Sequence, residues 1–452
     1  MKAFGRPVAL FLCLFLLVPS ATTYSVLTHE EIIDLLWDGR IKPLLLAKYP
    51  TATAQELKEA HAYAYGGSVI QDLGYYPFGS HYFSDLVHYV RSGDFVVNMI
   101  SEARDINELA FAIGALGHYA SDVNGHPAVN QAVAMEFPKL AAKFGKKVTF
   151  AQDKGSHLKT EFGFDMVQVA KHRYTSDAYH DFIGFKVAQE LLERSFAHTY
   201  GLQLKDVLTH EDLAIGSFRH SVSGIIPAMT RVALLTRKKE MIKDDPSFAR
   251  RKFLYRLSRS QYEKDWGNKY YKPGVGARLL AFLIQIMPRI GPFKAIGFKV
   301  PTAPAEDLYF KSVNATVDRY GHYLEEMGKG AFPLENRDFD TGEITHAGEY
   351  RLTDETYGKL TVNLAQKNFA DLTPGLKDNI LKFYGTDAPR QVNAKDRANV
   401  EEALAKLKQA KPTMEEPALP EHPAAPRKES EAAPHSDAAR GLMMILGTNL
   451  GN

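Results

Sequence analysis

Cysteine is almost absent from this sequence of 452 residues, and Cys13 is the only one. A chain with a single cysteine cannot form an internal disulfide bond or a zinc site of several thiolates. Because Cys13 lies in an apolar N-terminal run, thiol catalysis is also excluded for the rest of the chain. Any metal site must therefore use histidine and carboxylate side chains.

Strand-like alternation and long apolar runs are also scarce. Residues 279–301 form an apolar stretch, but Pro288, Gly291 and Pro292 interrupt it, so it does not have the pattern of a transmembrane helix. Apolar residues instead recur at the spacing of an amphipathic helix over most of the chain. The sequence therefore predicts an all-α fold.

The N-terminus has the pattern of an export signal. Lys2 and Arg6 precede the apolar run VALFLCLFLLV, and the small residues of PSATTYS follow it. We therefore expect a signal peptide over residues 1–23, with Tyr24 as the first mature residue. The protein is then secreted or periplasmic, and an uncleaved, membrane-associated form is the alternative.

Helix patterns dominate residues 24–235 and return over residues 301–395 as a helical C-terminal extension. Thr28, three residues before Glu31, has the spacing of a capping box. The segment Asp105–Gly117 begins with a capping aspartate and is apolar on nearly all sides, which predicts a central buried helix.

Residues 236–300 are basic, aromatic and apolar. Residues 231–299 contain 17 Lys or Arg and 5 Asp or Glu, so they carry a strong positive charge. This composition predicts docking on an anionic membrane surface. A core hairpin with a solvated basic face is the alternative, and nucleic acid is a less favoured partner. Residues 411–440, rich in Pro, Ala and Glu, predict a disordered tail.

Histidines and carboxylates recur at a spacing of four in two places. LGHYASDVNGHP contains His118, Asp122 and His126, and GSHLKTEF contains His157 and Glu161. Residues at i and i+4 share one helix face, so each such pair can reach a common metal ion. Nitrogen and oxygen ligands without thiolate are typical of a catalytic zinc site.

One such pair alone is weak support for a metal site, because ionisable residues more often lie on a solvated surface or are satisfied in a core. The set is stronger because all five residues lie in helices with much apolar sequence. Burying that many ionisable groups is costly unless a partner compensates them, and a metal ion is an effective partner.

LGHYASDVN and GSHLKTEF resemble the ligand helices of the zinc-dependent phospholipase C family. That family includes bacterial phosphatidylcholine-preferring enzymes and the catalytic domain of glycosylphosphatidylinositol-specific phospholipase D. Zinc-dependent single-strand nucleases are more distant relatives. The resemblance implies a multi-helix catalytic bundle over residues 24–235. The spacing between Asp122 and His126 is two residues shorter than in the bacterial phospholipases and resembles that of the phospholipase D branch.

The resemblance implies a cluster of two or three zinc ions. The implied ligands of the first ion are Asp72, His81, His118 and Asp122. Those of the second ion are His126, His157 and Glu161. Those of the third are the backbone of Tyr24, the side chain of His29 and the bridging carboxylate of Asp122. His61 and His88 remain as packing or supporting residues.

The expected function is that of a zinc-dependent phosphodiesterase, with phospholipase C-like hydrolysis of phospholipid headgroup bonds by a zinc-activated hydroxide. Asp72 is the candidate for orienting or deprotonating the attacking water. One alternative is a zinc-dependent single-strand nuclease or nucleotidase with the same cluster. The other is a non-catalytic, zinc-stabilised envelope protein. Headgroup specificity and oligomeric state stay open.

Overall fold

The described chain consists of α-helices connected by turns and short irregular segments. The computed structural model describes residues 26–171, 184–226, 230, 298–330, 334–385 and 394–416. The first helices are α1 (Val26–Leu36), α2 (Lys42–Lys48), α3 (Ala54–Gly67), α4 (His81–Tyr89) and α5 (Ser92–Glu102). The middle helices are α6 (Ile106–Glu136), α7 (Pro138–Phe144), α8 (Lys154–Ala170), α9 (Gln189–Tyr200), α10 (Leu204–Val207) and α11 (Glu211–His220). The last helices are α12 (Ala303–Lys329), α13 (Arg351–Gln366), α14 (Pro374–Tyr384) and α15 (Ala394–Gln409).

Three shorter helical turns complete the backbone: π-helical turns at Trp37–Ile41 and Ser221–Ile225, and a 3₁₀ helix at Ile70–Tyr75. Within the described residues the sole strand-like feature is a bridge between Arg337 and Ile344. The prediction of an all-α fold is confirmed.

Helix α6 is the centre of the core. Every residue from Leu109 to Val123 is buried, as its apolar pattern predicts. Asp105 caps the helix, because its carboxylate accepts hydrogen bonds from the backbone amides of Asn107 and Glu108. The predicted start of this helix is therefore confirmed.

Glycines let α3 and α6 cross with their backbones almost in contact. A Cβ added to Gly67 would lie 1.9 Å from the carbonyl oxygen of Phe111, and one added to Gly114 would lie 2.1 Å from that of Ala64. Neither position has room for a larger residue without displacing a helix backbone. This close crossing places the segment after α3 directly beside the middle of α6.

The predicted capping box at Thr28 is wrong, because Thr28 lies inside α1. Its hydroxyl donates a hydrogen bond to Asp165 of α8 and lies 2.8 Å from the hydroxyl of Tyr309. A capping box is formed instead by Thr53 and Glu56 at the start of α3. The hydroxyl of Thr28 therefore contacts side chains from helices distant in sequence instead of capping the start of α1.

The C-terminal helices pack on this same core. The hydroxyl of Tyr320 in α12 donates to the carbonyl oxygen of Ile113 in α6 at 2.8 Å. In α13 the ammonium of Lys359 lies 3.9 Å from the ring centroid of Tyr82 in α4. The described residues all belong to one compact unit.

Several sequence predictions lie outside the described residues. These are the signal peptide over residues 1–23, the mature N-terminus at Tyr24, nearly all of the basic segment over residues 231–299, and the tail beyond residue 416. Among the described helices, none combines the length and the hydropathy that crossing a bilayer requires.

Candidate metal centre

The middle of α6 presents three ionisable side chains on one face. His118, Asp122 and His126 are each separated by one helical turn, and their exposed fractions are 0%, 0% and 3%. The helix continues past them through Pro127 to Glu136. The spacing seen in the sequence is therefore a real stripe of buried polar groups, as an i, i+4 pattern predicts.

Asp122 lies at the centre of this site. Its carboxylate oxygens lie within 3.6 Å of imidazole nitrogens from four histidines, on α1, α4 and α6. The distances are 3.6 Å to His29, 3.5 Å to His88, 3.1 Å to His118 and 3.6 Å to His126, measured in each case to Nε2. This carboxylate can therefore contact more than one metal ion.

Three groups of side chains have ligand atoms close enough to share an ion. Within each group the candidate ligand atoms lie within 4.8 Å of one another. The groups are His29 with His118 and Asp122, Asp72 with His88 and His118, and His126 with His157 and Glu161. All of these side chains are buried, so the centre is shielded from bulk water.

Asp72 reaches the centre from the 3₁₀ helix. Ser84 of α4 secures this helix, because its hydroxyl donates to the carbonyl oxygen of Gln71 at 2.7 Å and accepts from the amide of Gly74 at 3.1 Å. Oδ1 of Asp72 lies 3.5 Å from Nε2 of His88. The 3₁₀ helix thus has a defined position that places the carboxylate of Asp72 beside His118 of α6.

His88 occupies a position that sequence reasoning did not assign to a ligand. It lies on the buried face of α4, whereas His81 begins that helix with its side chain exposed. The ring of His81 packs 5.4 Å from that of Tyr75 and belongs to none of the three groups. A signal was available, because His88 lies in the apolar run LVHYV, two helical turns after His81.

His157 and Glu161 approach the other end of the α6 stripe from α8. Asp153 caps this helix by accepting a hydrogen bond from the amide of Ser156 at 2.8 Å. Nδ1 of His157 lies 3.3 Å from Oε1 of Glu161, and the rings of His157 and His126 are 6.3 Å apart.

Backbone carbonyls orient the imidazoles. Nδ1 of His118 donates to the carbonyl oxygen of Ser68 at 2.9 Å, and Nδ1 of His88 donates to that of Ser84 at 2.8 Å. In His157 it is Nε2 that donates, to Val148 at 2.6 Å. Such bonds select the tautomer and direct the remaining nitrogen lone pair toward the centre, as in protein zinc sites.

The electrostatics of the centre favour an anionic Asp122. Burial by itself would raise its pKa, but the charge of His118 and hydrogen bonds from three histidines hold the pKa well below the usual range. Burial lowers the pKa of His29 to about 3 and that of His157 to about 4. His29 and His157 are therefore neutral imidazoles near neutral pH, which is the form that binds metal.

The donor set fits zinc. Among the described residues, neither carboxylate oxygen of Asp72 accepts a hydrogen bond of ordinary geometry, and the same holds for Oε2 of Glu161. A buried carboxylate oxygen without a partner is costly, so these atoms indicate a cation as their partner. Imidazole nitrogens and carboxylate oxygens in groups of three are the ligands of catalytic zinc.

Of the implied ligands, the structure brings together His29, Asp72, His118, Asp122, His126, His157 and Glu161. His81 lies apart, His88 lies within the centre, and Tyr24 is outside the described residues. Sequence reasoning also missed Phe339 and Asp340, which come from beyond α12. The ring of Phe339 packs 5.1 Å from that of His88.

Comparison with known protein families gives one match. Residues 28–209 match the family model described as zinc dependent phospholipase C. That range contains every side chain of the three groups. No curated protein and no solved structure matches the chain.

Proposed function

We propose that this protein, whose residues 28–209 belong to the zinc-dependent phospholipase C family, hydrolyses the headgroup phosphodiester bonds of phospholipids at a centre of two or three zinc ions. The family match supports phospholipase C-like activity. The observation that carries the proposal is Asp122, one buried carboxylate within 3.6 Å of four imidazoles. Such a carboxylate suits a bridge between neighbouring cations.

We assign the zinc ligands by the three groups. His126, His157 and Glu161 hold one ion, and Asp72, His88, His118 and Asp122 hold another. His29 is stacked on His118 at 4.5 Å between ring centroids and faces Oδ1 of Asp122, whereas the other three histidines face Oδ2. His29 is the side-chain ligand proposed for a third ion. This assignment uses His88 in the place that the resemblance gives to His81.

Zinc in such a centre polarises phosphate oxygens and lowers the pKa of bound water to about 7. The protein's own contribution is placement. Asp72 is positioned by its 3₁₀ helix, and within the described part of the chain neither of its carboxylate oxygens accepts a hydrogen bond of ordinary geometry. We assign it the role of orienting the attacking water and accepting its proton.

The first test is a metal count and a substrate panel on purified, correctly processed protein. Elemental analysis is expected to give two or three zinc ions per chain. Phosphatidylcholine vesicles should then yield diacylglycerol, and single-stranded DNA in a parallel assay should stay intact. Protein treated with a chelator should lose activity and regain it when zinc is returned.

Each other outcome of the panel is decisive. Release of phosphatidic acid would move the proposal from C-type to D-type cleavage, and degradation of single-stranded DNA would favour the nuclease alternative. Protein without zinc would overturn the proposal altogether. Zinc without hydrolysis of either substrate would favour a zinc-stabilised envelope protein.

A second prediction separates the two histidines of α4. His88→Ala is expected to lose one zinc ion, because its Nε2 lies 3.5 Å from both Asp72 and Asp122. His81→Ala, the matched control on the same helix, is expected to keep every ion, because its side chain is exposed. Loss of zinc from His81→Ala with retention in His88→Ala would restore the ligand set that the resemblance implies.

Export, with cleavage before Tyr24, remains a prediction from the sequence. So does membrane docking through residues 231–299. N-terminal sequencing of the purified protein tests the cleavage, and sedimentation with anionic vesicles tests the docking.

A further inference from the structure

A segment far beyond the matched family region returns to the metal centre. Between α12 and α13, the chain forms a tight hairpin whose two arms are joined by backbone hydrogen bonds. The amide of Asp338 donates to the carbonyl oxygen of Glu343 at 2.9 Å, and the amide of Thr345 donates to that of Asn336 at 3.0 Å. We call residues 336–345 the return hairpin.

The return hairpin is seated directly on α6. Gly342 has a φ of +74°, and a Cβ there would lie 2.5 Å from the carbonyl oxygen of Val123 and 3.0 Å from the ring of Pro127. Only glycine suits both this backbone conformation and this approach. Val123 directly follows Asp122 and Pro127 directly follows His126, so the hairpin tip lies beside the α6 stripe.

Two further contacts fix the register of the hairpin. The side-chain amide of Asn130 on α6 donates to the backbone carbonyl oxygen of Asp340 at 2.7 Å. The amide of Phe339 donates to the carbonyl oxygen of His88 at 3.2 Å. These bonds hold Asp340 between α4 and α6.

The carboxylate of Asp340 is buried, with an exposed fraction of 1%. One oxygen, Oδ2, accepts hydrogen bonds from the hydroxyls of Tyr89, at 3.0 Å, and Tyr350. The other oxygen, Oδ1, lies 3.5 Å from Nδ1 of His126. A buried carboxylate oriented this closely by two hydroxyls has a defined direction, and that direction is toward the imidazole.

His126 lies between two carboxylates. Its Nε2 faces Asp122 at 3.6 Å, whereas its Nδ1 faces Asp340 at 3.5 Å. His88, His118 and His157 are each oriented by a backbone carbonyl oxygen. At His126 a carboxylate occupies the corresponding position.

We infer that Asp340 is a positioning residue for His126: it accepts a hydrogen bond from the protonated Nδ1, so that the Nε2 lone pair faces Asp122 and the proposed zinc ion. The inference rests on the proposed zinc centre. It makes the C-terminal extension part of that centre, although the extension lies outside residues 28–209. A carboxylate behind a metal-bound imidazole raises its basicity and typically improves metal affinity by about 10- to 100-fold.

The test is the zinc affinity of variants in the full-length protein, measured by competition with a chelator. Asp340→Ala is expected to weaken the binding of one zinc ion by about 100-fold, and Asp340→Asn, which keeps an acceptor oxygen, by about 10-fold. The visible spectrum of the cobalt(II)-loaded protein should change in Asp340→Ala, because one ligand imidazole loses its fixed orientation.

Asp338→Asn is the matched control. Asp338 lies on the same hairpin, is 3% exposed, and bonds Thr341 and Thr353 rather than a histidine. Burial and the charge of Asp340 raise the pKa of Asp338 to about 7, so an uncharged asparagine is a mild replacement. We expect its zinc affinity and cobalt spectrum to match those of the unaltered protein.

Unchanged affinity in both Asp340 variants would overturn the inference. Equal losses in Asp338→Asn and Asp340→Asn would do the same, since they would indicate that the hairpin acts only by folding. If Asp340→Ala does not fold, the comparison of the two asparagine variants still decides. Absence of zinc from the unaltered protein would instead refute the proposed function.

Discussion

Replacing Asp122 with alanine is expected to remove more than one zinc ion from the purified protein and to lower phosphodiesterase activity about 10³-fold or more. The reason is the position of the carboxylate, which lies within 3.6 Å of imidazoles belonging to all three groups. His126→Ala is expected to lose a single ion, because His126 belongs to one group only. Elemental analysis of both variants measures the difference.

Asn124→Ala is the control for Asp122→Ala. Asn124 lies two residues further along α6, and its side-chain amide bonds the helix's own backbone at Ala120. It should keep the full complement of zinc and its activity. If Asp122→Ala and His126→Ala each lost one ion, Asp122 would be an ordinary ligand and the bridge would be misassigned.

Asp72→Asn is expected to lower kcat by about 10² to 10⁴-fold, the usual contribution of a positioned general base. The amide has the same shape and can still offer an oxygen to zinc, but it cannot accept a proton from water. KM should change little, since substrate binding by the cluster is largely retained. Steady-state kinetics on a short-chain phosphatidylcholine measures both constants.

Metal analysis of the same variant separates catalysis from metal binding. Retained zinc together with the loss in kcat supports a role in proton transfer, whereas loss of zinc with the same kinetic defect makes Asp72 chiefly a ligand. An Asp72→Asn protein with unaltered zinc and unaltered kcat would refute both roles. Gln71, the neighbour of Asp72 in the 3₁₀ helix, does not offer a matched control such as Gln71→Glu. Its side-chain amide donates a hydrogen bond to the carbonyl oxygen of Ala115 in α6, which the substitution would remove.

Much of the fold follows from local patterns that a reader can find in the sequence. The apolar pattern of Asp105–Gly117 predicts a buried helix, and every residue of α6 from Leu109 to Val123 is buried. The four-residue spacing of His118, Asp122 and His126 predicts one face, and the structure has them on one face. Both predictions succeed because helical periodicity depends only on neighbours within a turn or two.

The errors in the sequence predictions arise where the role of a side chain depends on a partner that is distant in sequence. Thr28 and Glu31 have capping-box spacing, yet the hydroxyl of Thr28 bonds Asp165, more than a hundred residues away. His81 and His88 are seven residues apart and share one face of α4, so sequence spacing alone does not say which of them reaches α6. The tertiary structure makes that choice, because His88 is buried whereas His81, the first residue of α4, is exposed.

By itself, the sequence determined the helical class, the buried central helix and a stripe of metal-binding residues upon it. The tertiary structure alone decided that Asp122 meets four imidazoles, that His88 joins them, and that Asp340 arrives from more than two hundred residues further along the chain. The physical reason is that a helix period is encoded in adjacent residues. A metal centre is instead completed by contacts between segments whose separation in sequence carries no periodic signal.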